Sequence, residues 1–525
     1  MTERLTAAGA PARAALALLG VAGLVAGCAT SLPQPATRPA PDFARPAPAD
    51  SAFRPIEETI RQAHGAEASG FRLLDRSEDA LLWRLALADS ARNTLDLQYY
   101  IWSGDDAGLL LAKRVVEAAN RGVQVRIIID DLDTLLGEGA APGVRDKSVA
   151  MLHSHPNIRI RLFNAWKSRS LAGRSAELVG SLQRLNRRMH NKQMIADNTA
   201  AIVGGRNIAD EYMGLDEEFN FKDLDVLGVG PVAREASAAF DRFWNSDWVL
   251  SVTELDVELS EQELQAAREN LRRTLHESRS LVRIPVDPKD WSADITALPA
   301  VLAIGTSRVV TDSPDHDAVS HHMPEAIRDI VLSAEHEVMF TNAYVIPGEK
   351  AIAALRRLTD RGVTIRMLTN SLASQDVPAV NAKYKKWRKP LIEAGVELHE
   401  LRPDATIRRT IADTPPVESK TLGLHTKAIV VDRKRVFIGS MNLDPRSFQL
   451  NSEMGVVIES PDLAEKLAAV MNRDMLPENS WRVELDPKGD LRWVSGSEVL
   501  TRQPALGSLQ RLQDFIFQLF PKEYY

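Results

Sequence analysis

The 525-residue chain contains the string His-x-Lys-x-x-x-x-Asp twice. His190, Lys192 and Asp197 stand in MHNKQMIAD, and His425, Lys427 and Asp432 stand in LHTKAIVVD. Each string is followed 14 residues after its His by a glycine (Gly204, Gly439) and 17 residues after it by an asparagine (Asn207, Asn442). A matched tail on both copies makes coincidence untenable, so the chain has to fold as one ancestral unit present twice.

The duplication extends beyond the strings. Arg121-Gly122-Val123-Gln124-Val125-Arg126-Ile127 is echoed by Arg361-Gly362-Val363-Thr364-Ile365-Arg366-Met367 at an offset of 240, while the two His are offset by 235. In each copy a strand-like run (Thr94 to Ile101; Val338 to Val345) precedes a helical pattern and a second strand (Val123 to Asp130; Val363 to Asn370). A last strand and a closing helix end the unit (Leu224 to Val229 then Ala233 to Trp244; Glu453 to Ile458 then Leu463 to Met471). Strands alternating with helices predict α/β halves, each a mixed, largely parallel sheet flanked by helices. The halves are expected at residues 71–250 and 321–478, with a connector at 251–320 that includes a charged helical stretch from Glu254 to Leu281. A tail, 479–525, ends in Leu509, Leu512, Phe515, Ile516, Leu519 and Phe520 at helical spacing. Such a stripe reads as a docked core helix, and a lipid-touching amphipathic helix is the alternative.

The N-terminus carries an address. Arg4 and Arg13 precede an apolar run, Ala14 to Leu24, too short to cross a bilayer, and the run ends in Leu24-Val25-Ala26-Gly27-Cys28. This resembles a bacterial lipobox, so residues 1–27 are expected to be a signal peptide and Cys28, the only cysteine, the lipidated residue. Residues 28–70, rich in Pro and Ala at their start, read as a tether to the catalytic body. Together they predict a membrane-anchored lipoprotein facing the periplasm, with Ala29 after Cys28 favouring the outer membrane over the inner.

Composition narrows the partners. The chain is 44% hydrophobic and 26% charged with a net charge of -7, a soluble globular balance that argues mildly against nucleic acid. Two basic patches stand out, Arg184, Arg187 and Arg188 before the first His, and Lys383, Lys385, Lys386, Trp387, Arg388 and Lys389. Both suit either an anionic lipid surface or a solvated face.

The repeated residue types suit phosphodiester chemistry. An anion attacked at phosphorus needs a nucleophile, a proton donor for the leaving oxygen and fixed positive charge around the other oxygens. Residues two apart in a strand share a face, which sets His190 beside Lys192 and His425 beside Lys427. Asp197 and Asp432, an odd number of positions on, would face the other way and read as structural members of the motif. No metal or cofactor is suggested: the His residues lack clustered ligand spacing, and His316, His321 and His322 read as a solvated loop.

The strings LDLQYYIW (Leu95 to Trp102), LNRRMHNK (Leu185 to Lys192), GGRNIADEY (Gly204 to Tyr212) and GSMNLDPRSFQLNSEMG (Gly439 to Gly455), with the DLDV segment between Phe219 and Gly230, resemble the phospholipase D superfamily. Within it they are similar to bacterial cardiolipin synthases of the C type. The resemblance implies one active site at the interface of the halves, with His190 as nucleophile and His425 as general acid. Lys192, Lys427, Asn207 and Asn442 would bind phosphate oxygens. Glu453 would orient His190 and Asp223 would orient His425, each across the interface, with Asp225 a possible substitute for Asp223. The implied activity is a phosphatidyltransferase working through a phosphohistidine, passing a phosphatidyl group from phosphatidylglycerol or phosphatidylethanolamine to phosphatidylglycerol. A phospholipase D releasing phosphatidic acid shares every one of these residues, and a nuclease-type phosphodiesterase is the more distant alternative.

Overall fold

The computed structural model describes residues 40–131, 144–166, 177, 184–255, 259–314 and 319–518. Cys28 and the leader, His316, and Leu519 and Phe520 lie outside them.

The duplication is visible strand by strand. The first half contains β1 (Ser69–Leu74), β2 (Thr94–Tyr99), β3 (Gln124–Asp130), β4 (Ile158–Phe163), β5 (Gln193–Ala196), β6 (Ala200–Gly204), β7 (Phe219–Lys222), β8 (Asp225–Val229) and β9 (Val249–Ser251). The second contains β10 (Ala303–Thr311), β11 (Glu337–Asn342), β12 (Thr364–Asn370), β13 (Val396–Leu401), β14 (Thr421–Leu424), β15 (Lys427–Val431), β16 (Arg435–Gly439), β17 (Met454–Glu459) and β18 (Ser480–Leu485). The first sheet runs β1-β8-β6-β5-β2-β3-β4-β9. The second runs β10-β17-β16-β15-β11-β12-β13-β18. Position for position these are one topology. Strand β10 also pairs with β1 through Ala303, Ile304 and Gly305, so it joins the two sheets edge to edge.

The α/β duplication is as expected, but the pairing is not largely parallel. Only β2-β3-β4 and β11-β12-β13 run parallel, and every other neighbour within each sheet is antiparallel. The physical reason is the motif itself. Asp197 and Asn198, and Asp432 and Arg433, adopt left-handed φ of 50–53°, closing tight hairpins that force β5–β6 and β15–β16 antiparallel.

The core explains the long apolar runs. Val125, Ile127 and Ile129 of β3 face one cluster, under the helices Ser77–Ser90 and Asp106–Asn120, while Ile128 between them faces another. That second cluster also takes Val203 and Val226 from the first half and Leu368, Val430, Ile438 and Val456 from the second. Each sheet is thus buried on both faces, one under its helices and one against the opposite half.

Three boundaries shift. Strand β10, assigned to the connector, is the counterpart of β1, and its mixed exposure hid it from a period-two reading. Strand β18, assigned to the tail, is the counterpart of β9. The tether does not reach residue 70: Phe53, Ile56 and Ile60 recur at helical spacing and are buried, docking the helix Arg54–His64 into the first core. Upstream, the Ala44 N–H donates to Asp241 at 2.8 Å. The connector keeps its charged helix, Glu261–Glu277, opened by a reciprocal Ser260–Glu263 cap.

This places a test at the boundary. Phe53→Ala should cost about 3–5 kcal/mol in urea unfolding, as for a core aromatic, while Phe43→Ala, at a side chain 64% exposed, should stay within about 0.5 kcal/mol. Equal effects would return this segment to the tether.

Candidate active site

The site is built where the two halves exchange backbone hydrogen bonds. Met189 bridges Ser452 in parallel register, the His190 N–H donating to Ser452 O and the Ser452 N–H to Arg188 O, both at 2.8 Å. In the symmetric place β7 and β14 pair in parallel with Leu424 opposite Lys222, and the His425 N–H donates to Lys222 O at 2.8 Å. Moving one residue along each pair sets His190 beside Glu453 and His425 beside Asp223, since partners in register share a side. His190 Nδ1 lies 2.8 Å from Glu453 Oε2 and His425 Nδ1 lies 2.6 Å from Asp223 Oδ2. Both pairs cross between the halves, and all four side chains are buried. Asp225 does not substitute, because its carboxylate holds Arg84 at 3.0 Å and Arg206 at 3.2 Å.

A carboxylate on Nδ1 leaves Nε2 of each ring for substrate. Tyr100 meets the His190 ring edge-on at 5.0 Å, and Tyr212 does the same to His425 at 5.0 Å, with Phe221 at 5.1 Å. These aromatics lay inside strings already singled out, yet nothing in their spacing marked them as ring neighbours.

Lys192 and Lys427 are each 1% exposed, and each ammonium donates to the carbonyl oxygen of its own His. Burial depresses both, Lys192 well below its ordinary value and Lys427 to about 8, with the carboxylates Glu453 and Asp223 opposing the shift. His190 is likewise held neutral by burial and by the neighbouring lysines. Burial lowers His425 to about 4, Lys427 adding to that and Asp223 resisting it. Glu453 is pushed up to about 8 by burial, opposed by Lys192 and by the hydroxyl of Ser440. Burial would also raise Asp223, but the charges of His425, Lys427 and Arg206 hold it below the usual carboxylate range.

The two half-sites differ in a coupled pair of positions, Ser440 with Glu453 against Gly205 with Asp223. Ser440 donates to Glu453 at 2.5 Å, whereas a Cβ on its counterpart Gly205 would stand 2.4 Å from Asp223 Oδ1. The shorter aspartate brings its backbone closer, and only glycine leaves it room.

The remaining predicted residues divide. Asp197 accepts the N–H groups of Arg92, Asn93 and Thr94, and Asp432 those of Glu335, His336 and Glu337, so both tie the motif hairpin to the neighbouring strand. Neither reaches the ring of His190 or His425, so the motif aspartates serve the hairpin and take no direct part in the chemistry. Asn207 accepts from the Ile101 N–H at 3.2 Å and interacts with Tyr212. Asn442 is 5% exposed, and its Oδ1 has no partner among the described residues. His321 faces Asp312 at 3.7 Å and Gln449 O at 3.1 Å.

The basic patches do not form a lipid-facing surface as a whole. Arg188 is buried on Asp130 at 3.2 Å, and Arg184 is buried on Asn164 and Glu177. The second run is two short helices around a single 3₁₀ turn, with Trp387 buried and Arg388 ion-paired to Glu400 at 2.6 Å. Lys386 and Lys389 alone of that run are exposed. A linear sequence shows the charges but not the buried acids that receive them.

The family model described as "Cardiolipin synthase, PLD-like domain" matches residues 85–244 and 327–475. The chain is 37% identical over 464 residues to "Cardiolipin synthase C" of Escherichia coli strain K12, covering 86% of this chain and 95% of that protein. It is 31% identical over 407 residues to an uncharacterised protein of Helicobacter pylori strain 26695, covering 75% of this chain and 77% of the other. Among solved structures, a phosphatidylserine synthase of Haemophilus influenzae superposes with a TM-score of 0.52 at 12% identity, over 80% of this chain and 90% of that one, which is a likeness of fold.

The depressed His425 predicts a pH signature. Unfolded, its ring takes a proton as pH falls through 6.5; folded, it stays neutral to about 4. Its contribution to stability is complete above 6.5 and lost on the way down to about 4. Urea unfolding at both ends of that window should show wild type losing on the order of 3 kcal/mol more than His425→Gln, and parallel losses would refute the assignment.

Proposed function

We infer the reaction from one premise: the chain belongs to the cardiolipin synthase, PLD-like domain family, and is a phospholipase D-type phosphatidyltransferase. The observation that carries the rest is the pair of His–carboxylate contacts crossing between the halves, with both motif lysines buried beside them.

His190, neutral and held through Nδ1 by Glu453, attacks the phosphorus of a donor phospholipid with Nε2. A P–N bond forms, the P–O bond to the headgroup alcohol breaks, and His425 passes a proton to the departing oxygen. His425 is neutral in the empty site; the incoming phosphodiester anion, added to Asp223, favours its protonated form. The acceptor, phosphatidylglycerol, then gives its hydroxyl proton to His425 while its oxygen attacks phosphorus and the P–N bond breaks. Cardiolipin leaves, and both rings are restored. Lys192 and Lys427, costly to keep charged in an empty buried site, gain a counter-ion when the phosphate enters, and the amide of the buried Asn442 adds a donor. The donor is phosphatidylglycerol or phosphatidylethanolamine.

The anchor belongs to the same reading. Cleavage before Cys28 and lipidation of its sulfur would hold the enzyme on the periplasmic side of a membrane, the outer one on the evidence of Ala29, with the described body reached through a tether that ends before residue 53. Labelled palmitate should enter the wild-type chain in cells and not Cys28→Ala; label in both would remove the anchor.

Purified Cys28→Ala protein should make cardiolipin from phosphatidylglycerol, alone or mixed with phosphatidylethanolamine. His190→Ala should lower the rate by about 10³-fold or more, the usual loss for a covalent nucleophile. Phosphatidic acid without cardiolipin would replace the transferase with a hydrolase.

A further inference from the structure

The C-terminal helix Ser508–Gln518 presents to the body a face that is not its apolar one. Phe517 is buried on Ala379 and Ala382 of the helix Pro378–Tyr384. Asp514, also buried, accepts from Asn381 Nδ2 and Lys385 Nζ, each at 2.7 Å, and from Gln503 at 3.1 Å. Gln510 donates to Leu372 O at 2.6 Å. Residues 510, 514 and 517 follow helical spacing and define the docked side.

The apolar stripe expected to be core lies on the other side. Leu509, Leu512, Phe515 and Ile516 are 57%, 53%, 59% and 42% exposed, and Leu506 just before the helix is 58% exposed. Five of the twelve exposed large hydrophobic residues among those described fall between 506 and 516, a concentration that marks a contact surface, whereas scattered ones need no explanation. Exposed cations accompany the helix. Arg502 and Arg511 are exposed, as is Lys386 next to the Lys385 that grips the helix, while the helix's one acid is buried and paired.

The helix is also braced on the rim of the active site. Leu372, which Gln510 holds, opens the loop after β12, and Asn370 at the end of that strand exchanges hydrogen bonds with both backbone groups of Leu424, next to His425. Asp376, further along the loop, is close enough to act on Lys427.

We propose that the helix Ser508–Gln518 lies on the surface of a phospholipid bilayer containing anionic lipid, with Leu509, Leu512, Phe515 and Ile516 sunk below the headgroups and Arg502, Arg511 and Lys386 among the phosphates. At 11 residues it is too short to span and suited to lie in the plane. The inference rests on the reading that the substrates are phospholipids. A donor and an acceptor with acyl chains stay in the bilayer, and a helix fixed to the rim beside His425 would hold the site against it.

Because Cys28 is the only cysteine, a single polarity-sensitive label can be placed at Phe515→Cys in the full-length Cys28→Ala chain, with exposed Lys350→Cys as control. Vesicles of phosphatidylglycerol and phosphatidylethanolamine should shift the emission at 515 to the blue, and brominated acyl chains should quench it, with neither effect at 350. Replacing Leu509, Leu512, Phe515 and Ile516 together by Ser should lower turnover of vesicle substrate roughly tenfold or more and leave turnover of monomeric short-chain phosphatidylglycerol unchanged. An unshifted label at 515, or vesicle turnover by the fourfold variant equal to wild type, overturns the surface. The label does not depend on catalysis, so a wild type that makes no lipid product in either form overturns the proposed reaction while the fluorescence still decides the helix.

Discussion

Two short stretches of parallel backbone pairing, Arg188–His190 with Ser452 and β7 with β14, hold the chemistry of this protein in place. Each joins a motif from one half to a strand start in the other, and each delivers a His and a carboxylate as the next residues in register. A half on its own would carry a His without its carboxylate. The large shared core, in which both sheets bury a face, fixes the registers closely enough for contacts of 2.6 and 2.8 Å.

That core also sets the electrostatics. Two lysines, two imidazoles and two carboxylates share a buried region, and burial is the leading influence on each of them. Removing them from water is unfavourable unless the charges compensate one another. A phosphodiester would complete that compensation, so the protein's own charge arrangement favours an anionic substrate before any contact specific to it forms. The two half-sites are not equivalent: Asp223 is held ionised while Glu453 is raised and shares the Ser440 hydroxyl, and this difference distinguishes the His190 side from the His425 side.

Particular residues show what could be read in advance and what could not. His190, Lys192, His425 and Lys427 were legible because period-two geometry and a repeated spacing are local facts. Glu453 and Asp223 were assigned from equivalent strand starts and a family resemblance, and the structure sets each against the ring expected. Asp197 and Asp432 have local meaning too, closing the hairpins. Sheet direction is not written in strand composition, and β10, shared between two sheets, has a mixed exposure that gives no period-two signal. Trp387 and Arg388 looked like a lipid-facing run because Glu400, which receives the arginine, lies on a strand of its own. For the terminal helix, the stripe was legible at helical spacing while its direction was not; a buried Asp514 between Asn381 and Lys385 reversed the docked face.

The sequence by itself determined that a unit is present twice, that each copy brings a His and a Lys to one face of a strand, and that phosphodiester chemistry suits them, because spacing along a strand is fixed by bond geometry. Which carboxylate meets which His, which arginines are spent on buried acids, and which side of the last helix meets solvent were decided only by the tertiary structure. Those outcomes depend on contacts between residues up to 264 positions apart, as from Arg188 to Ser452, and no local pattern records the energy balance that selects them.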